Sequence, residues 1–279
     1  MRKFIIVCTM AVFGVGQSFA QLDTDDYGIF NRVGIGVGFG TTGITIDAAT
    51  VVTPYVGIRA GVDIFPSIKV DTDLDLGKFG YDESAGQAVG QLAGVTVPSG
   101  KIDIQGKTSL GAGHVLFDIY PFPKASSFRV TAGAYFGSDK VIKVYNKEDG
   151  ALQDIYNYNN RIGQYSAVPA SAGKIGAELG DYFLEPDRDG NVEANIKVNG
   201  FRPYLGIGFG RAVPKKRIGC QFDLGVQFWG SPKVILNGAN GEEELTEQNA
   251  GGDGGDIIKT ISKISVYPCI SFRLVGRIL

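Results

Sequence analysis

The run Phe201-Arg202-Pro203-Tyr204-Leu205-Gly206-Ile207-Gly208-Phe209 decides the fold. Its odd positions hold Phe201, Pro203, Leu205, Ile207 and Phe209, and its even positions hold Arg202, Tyr204, Gly206 and Gly208. An extended chain turns successive side chains to opposite faces, so this alternation describes a strand with one apolar and one polar side. Seven other segments obey the same rule. Val33, Ile35, Val37 and Phe39 oppose Arg32, Gly34, Gly36 and Gly38; after Thr41-Thr42-Gly43, a weaker run sets Ile44, Ile46 and Ala48 against Thr45 and Asp47. Beyond Thr53-Pro54, Val56, Ile58, Ala60, Val62 and Ile64 oppose Tyr55, Arg59 and Asp63. Val115, Phe117 and Ile119 oppose His114, Leu116 and Asp118, and Phe128 to Phe136 places Arg129, Thr131, Gly133 and Tyr135 on its polar side. In 218–228 the polar side holds Gln221, Asp223 and Gln227; in 264–278 it holds Tyr267, Ser271, Arg273 and Arg277.

Apolar faces of about ten residues match the length of a membrane-crossing strand. A soluble sandwich also alternates, but its core would not accept the full charges that lie deep on these polar faces. The connections alternate too: those near 50–54, 121–126 and 212–217 are short, and those near 67–108, 139–199 and 231–261 are long. Short periplasmic turns and long outer loops characterise outer-membrane barrels. The expected fold is therefore all-β, an eight-stranded antiparallel up-and-down transmembrane β-barrel with long extracellular loops. An even strand number puts both termini on the periplasmic side.

Working outward from the strands, residues 1–20 read as a secretory signal. Arg2 and Lys3 form a charged start, Phe4 to Val15 an apolar stretch, and Ser18-Phe19-Ala20 a small-residue cleavage site, leaving 21–279 as the barrel domain. Removing Arg2 and Lys3 takes the formal net charge from −2 to −4. That balance leaves out a nucleic-acid partner, which needs a basic surface. Cys220 and Cys269 then remain, too few for a disulfide framework. Parity places Cys220 outward and Cys269 inward, as unpaired thiols.

The leader, eight alternating segments, three long loops and an arginine-containing last strand together resemble the small outer-membrane barrels of the OmpA/OmpX class. Runs such as Pro203 to Gly210 are similar to strands of outer-membrane β-barrel domain proteins from Bacteroides-like bacteria. The resemblance implies residence in the outer membrane of a Gram-negative cell, contact with its lipid and lipopolysaccharide, and insertion by the barrel-assembly machinery. Two departures stand out: Leu279 replaces the family's usual terminal aromatic, and no peptidoglycan-binding domain follows the strands.

A barrel of eight strands is just wide enough inside for its own side chains. Parity directs Arg32, Arg59, Arg129, Arg202, Arg273 and Arg277 inward, with Asp47, Asp63, Asp118, Asp223 and His114. Charges at that depth persist only when paired and hydrogen-bonded. The expectation is a charge network that plugs the lumen, with Tyr135, Tyr204 and Tyr267 beside it and inward glycines leaving room for the arginines. The alternative is a small pore, anion-preferring through its arginine excess.

An enzyme acting on lipid A comes third. Such chemistry needs a histidine beside a nucleophile or carboxylate. The chain has one histidine, His114, and Asp118 on the same face lies about 13 Å along an extended strand. No catalytic residue, cofactor or metal is therefore expected. In the loops, Asp71, Asp73 and Asp75, and the run Asp187-Arg188-Asp189-Gly190-Asn191, lack a complete calcium-loop spacing. Gly241 to Asp256 reads as mobile, Glu83–Ala93 and Ala170–Phe183 as short helices, and Val141 to Tyr145 as sheet continuing beyond the membrane. The role expected is structural or surface-interacting, through loops whose extracellular ligand the sequence does not name.

Overall fold

Backbone N–H and C=O groups along an alternating run need partners, and neighbouring runs supply them. The computed structural model describes residues 31–75, 91, 94, 101–162 and 174–279. The leader and the expected helix Glu83–Ala93 (Gln91 apart) lie outside the described residues. In chain order the strands are β1 (Val33–Gly40), β2 (Gly43–Thr53), β3 (Val56–Ile64), β4 (Lys69–Asp75), β5 (Lys101–Thr108) and β6 (Ala112–Ile119). They continue with β7 (Phe128–Gly137), β8 (Lys140–Asn146), β9 (Ala177–Leu179), β10 (Tyr182–Leu184) and β11 (Glu193–Lys197). The last are β12 (Phe201–Phe209), β13 (Ile218–Phe228), β14 (Lys233–Gly238), β15 (Gly241–Leu245) and β16 (Val266–Arg277).

Eight of these close into a barrel in the order β1-β16-β13-β12-β7-β6-β3-β2, every neighbouring pair antiparallel. They are the eight segments that alternate in the sequence. Only β2 runs well past its alternating core, to Thr53, with a register shift between Val51 and Thr53. No charged residue stands on the outward parity of any barrel strand; Phe39, Phe136, Leu205, Ile207, Phe222 and Leu274 are all exposed there. A soluble monomer does not leave so wide an apolar surface uncovered.

A second sheet, ordered β15-β14-β11-β8-β5-β4, stands on one side of the barrel. It arises because five consecutive barrel strands run on into it after a few residues. β7 passes into β8 through Ser138-Asp139, and β13 into β14 through Trp229 to Pro232. Backbone bonds carry the ladders across the junction, Val198 N–H to Asp139 O at 2.8 Å and Asn199 N–H to Trp229 O at 2.9 Å. Val141 to Tyr145 lies in β8, as sheet beyond the barrel. One side of this sheet packs Val234, Leu236 and Leu245 against Ala250 and Ile258 of the helical segments Glu247–Ala250 and Gly252–Ser262. A further helix, Gln153–Ile162, buries Ile155, Tyr158 and Ile162 with Leu152 and Ile175.

Two loop expectations are corrected. Of the expected helix Ala170–Phe183, residues 170–173 lie outside the described residues and Lys174 to Phe183 is not helical: Ile175 is buried in irregular chain, and β9 and β10 form a hairpin. Gly180 turns it with φ +64°, a conformation that a helix cannot contain. Gly241 to Asp256 is built into β15 and the two helical segments. Its three consecutive glutamates are held: Glu242 and Glu244 pair with Lys197 and Lys233 at 2.6 and 2.9 Å, and Tyr182 donates to Glu243 at 2.8 Å. Thr246 caps the first helical segment in a box with Asn249. Composition suggests mobility because these partners lie on other strands, outside the segment itself.

Within the barrel, Gly206 and Gly225 form a slot for Tyr204. A methyl at either would lie 2.4 Å from the Tyr204 hydroxyl. Gly225→Ala is expected to lower the unfolding free energy by about 1–3 kcal/mol through overpacking. Adding Tyr204→Phe should restore part of that loss, followed in urea by the fluorescence of the single Trp229. Equal losses in the single and double variants would mean that the tyrosine is not the obstacle.

Candidate functional site

The site is the lumen, because the polar parity of eight strands converges there. Asp118 on β6 and Asp223 on β13 each serve more than one guanidinium. Arg59 on β3 reaches Asp118 at 2.8 Å through Nε and Asp223 at 3.4 Å through Nη1. Arg129 on β7 meets Asp118 at 3.2 Å and Asp223 at 2.7 Å, and also donates to Gly210 O. Arg273 on β16 pairs with Asp47 on β2 at 2.5 Å and lies 3.8 Å from Asp223. Thr131 donates to Asp118 at 2.7 Å. All these charged side chains are buried, and Asp118 and Arg129 are 0 % exposed.

His114 lies on the other flank. Its Nδ1 is 3.0 Å from Asp63, and its Nε2 is 3.9 Å from Asp47. Thr42 and Thr45 both donate to Asp63, and the Tyr135 ring centre is 5.2 Å from the imidazole. Four aspartates thus face three guanidiniums, and His114 supplies a fourth cation when it carries both protons. Glycines opposite the charges make the space: a methyl at Gly36 would lie 2.7 Å from Asp47 Oδ1 and 2.9 Å from Arg273 Nη2.

Three expected members stand apart from this centre. Arg202 is buried at the upper end, where its partners are Asn199 O at 2.9 Å, Ser138 O and the Trp229 ring at 5.5 Å rather than an aspartate. Arg32, half-buried, lines a small recess at the lower mouth with Tyr120 and Arg211. Arg277 is exposed and donates to Lys215 O at 3.1 Å. Its parity is inward, but it is the last residue of β16, beyond the enclosed rungs.

Both ends are closed and, Tyr267 apart, the residues that close them are ones that alternation alone does not single out. Below, Ala212 and Val213 from the β12–β13 turn tuck against Ala49, and Ala212 N–H donates to Tyr120 Oη at 2.9 Å. Burial, and then the Asp118 charge, push the Tyr120 phenol up to about 12. An apolar pair inside a basic turn was the available signal. Above, Trp229 stacks on Tyr267 at 4.6 Å, and Tyr267 donates to Thr41 O at 2.7 Å. A recess between them, beside Thr45, His114, Tyr135 and Ser271, has a volume of about 20 Å³. That is room for about one water molecule.

Outside the lumen, a polar recess of about 300 Å³ opens on the second sheet, lined by Lys143, Tyr145, Asn146, Asp187, Asn191 and Glu193 among others. Of the loop acids with partial calcium-loop spacing, Asp71 and Asp187 are engaged with the protein. Asp187 Oδ1 accepts from the N–H groups of Asp189 and Asn191, and Asp71 pairs with Lys147 at 3.0 Å. Among the described residues no group of three or more His, Cys, Asp or Glu is arranged to hold a metal. Cys220 and Cys269 are free thiols.

No family model matches the chain, and no curated protein matches it. Among solved structures it is similar to CarO2 of Acinetobacter baumannii, with 19% identity over 88% of this chain and 98% of that one, at a TM-score of 0.43. CarO of the same organism gives 16% identity over 88% and 97%, also at 0.43. A major outer membrane protein of Thermus thermophilus gives 15% over 88% and 98%, at 0.30. The barrel described above rests on the chain's own strand ladders.

Asp118→Ala strips Arg59 and Arg129 of a shared carboxylate and is expected to cost about 3–5 kcal/mol, as breaking a buried ion pair does. Arg277→Ala at the exposed end should change stability by less than about 0.5 kcal/mol. Urea titration of both variants checks this, and an Asp118→Ala barrel as stable as the parent would refute the structural role of the network.

Proposed function

We propose that this chain is an integral outer-membrane β-barrel with a side-chain-plugged lumen, whose non-enzymatic role is structural or surface-interacting through its long loops. One observation carries the reading: the wall is apolar outside, while the inside is filled by buried, mutually paired charges. An apolar exterior suits lipid, and a closed ring of strands leaves no backbone group unsatisfied there. In this reading the short turns and both termini face the periplasm and the second sheet stands outside the cell. Its 300 Å³ polar recess is then the place for a ligand.

The position of His114 supports the absence of catalysis. Its side chain is 2% exposed, and the threonine hydroxyls nearest in the network donate to Asp63 rather than to the imidazole. Substrate would have to enter a lumen closed at both mouths.

The refolded protein, shown to be folded by a gel shift between unheated and boiled samples, is expected to be silent in a planar lipid bilayer. Stable channels would overturn the plug and favour the small-pore alternative. Ile207→Lys, on the outer wall, should cost about 2–4 kcal/mol of stability in bilayers if that position lies near the midplane. A neutral result there would argue against a lipid-facing wall.

A further inference from the structure

Charge is segregated between the two ends of the barrel. The lower end consists of Asn31-Arg32, the Pro54-Tyr55 turn, Tyr120 to Ser127, Gly210 to Arg217, and the close of β16 with Ile278 and Leu279. These segments contain no aspartate and no glutamate. The β12–β13 turn alone contributes Arg211, Lys215, Lys216 and Arg217, and Arg32, Lys124 and Arg277 come from its neighbours. Acids preceding this end in sequence, Asp23, Asp25 and Asp26, would offset fewer than half of these charges. The opposite end carries more acids than bases, Glu242, Glu243, Glu244 and Glu247 among them.

The cations do not stand alone. Lys124, Lys216, Arg217 and Arg277 are exposed, and large apolar side chains exposed beside them point out of the same rim. Phe122 lies two residues from Lys124, Ile218 follows Arg217, and Ile278 follows Arg277; these three are 60, 72 and 60% exposed. An apolar anchor with a cation next to it suits the boundary where acyl chains give way to headgroups. Near an anionic leaflet, each Lys or Arg adds about 1 kcal/mol, roughly a fivefold gain in association, and the gain falls off within a Debye length.

We infer that the basic rim at the short-turn end is a docking surface for the phosphate headgroups of anionic phospholipid in the adjoining leaflet. The inference rests on the reading of the chain as a membrane-spanning barrel. Its partner is specified by charge complementarity: a phosphodiester at the interface meets the cation while its acyl chains meet Phe122, Ile218 and Ile278.

The test uses the full mature chain inserted into vesicles of phosphatidylcholine alone and of phosphatidylcholine mixed with phosphatidylglycerol. Insertion is scored first, by gel shift and protease protection. Failure to insert in either lipid would sink the barrel reading itself, whatever the rim does. With insertion established, spin-labelled phosphatidylglycerol should be enriched several-fold over spin-labelled phosphatidylcholine at the protein surface, and high salt should reduce the enrichment. Lys124→Gln with Lys216→Gln and Arg217→Gln should bring the ratio close to one while leaving insertion intact. A control at the other end, Lys69→Gln with Lys233→Gln and Lys263→Gln, should leave the ratio unchanged. Equal ratios for the parent and the rim variant overturn the inference. So does loss of enrichment in sodium phosphate beyond that in sodium chloride of matched ionic strength, because the rim would then take free phosphate rather than lipid.

Discussion

A charge buried without a partner is more expensive than almost anything else in a fold, and this barrel buries several in one narrow space. Asp118 and Asp223 make that tolerable by each sharing themselves among guanidiniums from different strands. Such sharing works in one register alone. A strand slipped by one residue would turn its charges to the outer wall and its apolar residues into the lumen. The network therefore contributes to specification as well as to cohesion, because β2, β3, β6, β7, β13 and β16 are all tied to the same cluster. Alternate registers would leave bare aspartates, not merely weaker packing.

The rest of the architecture follows from that filled interior. Room for long arginines comes from glycines opposite them, such as Gly36 facing Asp47 across the β1–β2 ladder. Both mouths are then sealed with uncharged material, Ala212 and Val213 below, Trp229 and Tyr267 above. Beyond the upper seal, five strands continue as a sheet whose apolar side needs its own cover. The helical segments over Val234, Leu236 and Leu245 provide it, as does the helix Gln153–Ile162, whose Ile155 and Ile162 cluster packs against Ile104 of β5.

Most of the barrel was legible in the sequence because a strand with two unlike faces writes its period directly into the chain. Parity also directed Arg59, Arg129, Asp118 and Asp223 to one space. It could not say which would meet, since Arg59 and Asp223 are far apart in sequence and are joined only by closure of the cylinder. Parity has no sense of height either. Arg277 and Arg32 have the inward sign but sit where the wall ends, and Arg202 lies at a rim where carbonyls and an indole replace carboxylates. The loops were harder. Ile175, Leu179 and Phe183 fit a helical spacing, yet Gly180 with its positive φ imposes a hairpin there. The glutamates near Gly241 suggested mobility because their lysine partners come from other strands.

In a bilayer, where the proposed function places this barrel, the second sheet also has a consequence for its neighbours. It rises over β3, β6, β7, β12 and β13, whereas β1 and β2 are joined at the rim by the tight Thr41-Thr42 turn. The molecule is therefore tall on one side and low on the other, with a front and a back when viewed down the barrel. A bulky neighbour, or a lipid with a large headgroup, can come close along the low β1–β2 flank and is held off by the parapet opposite. Rotation about the membrane normal thus changes what the protein presents, and crowding would favour particular headings over others.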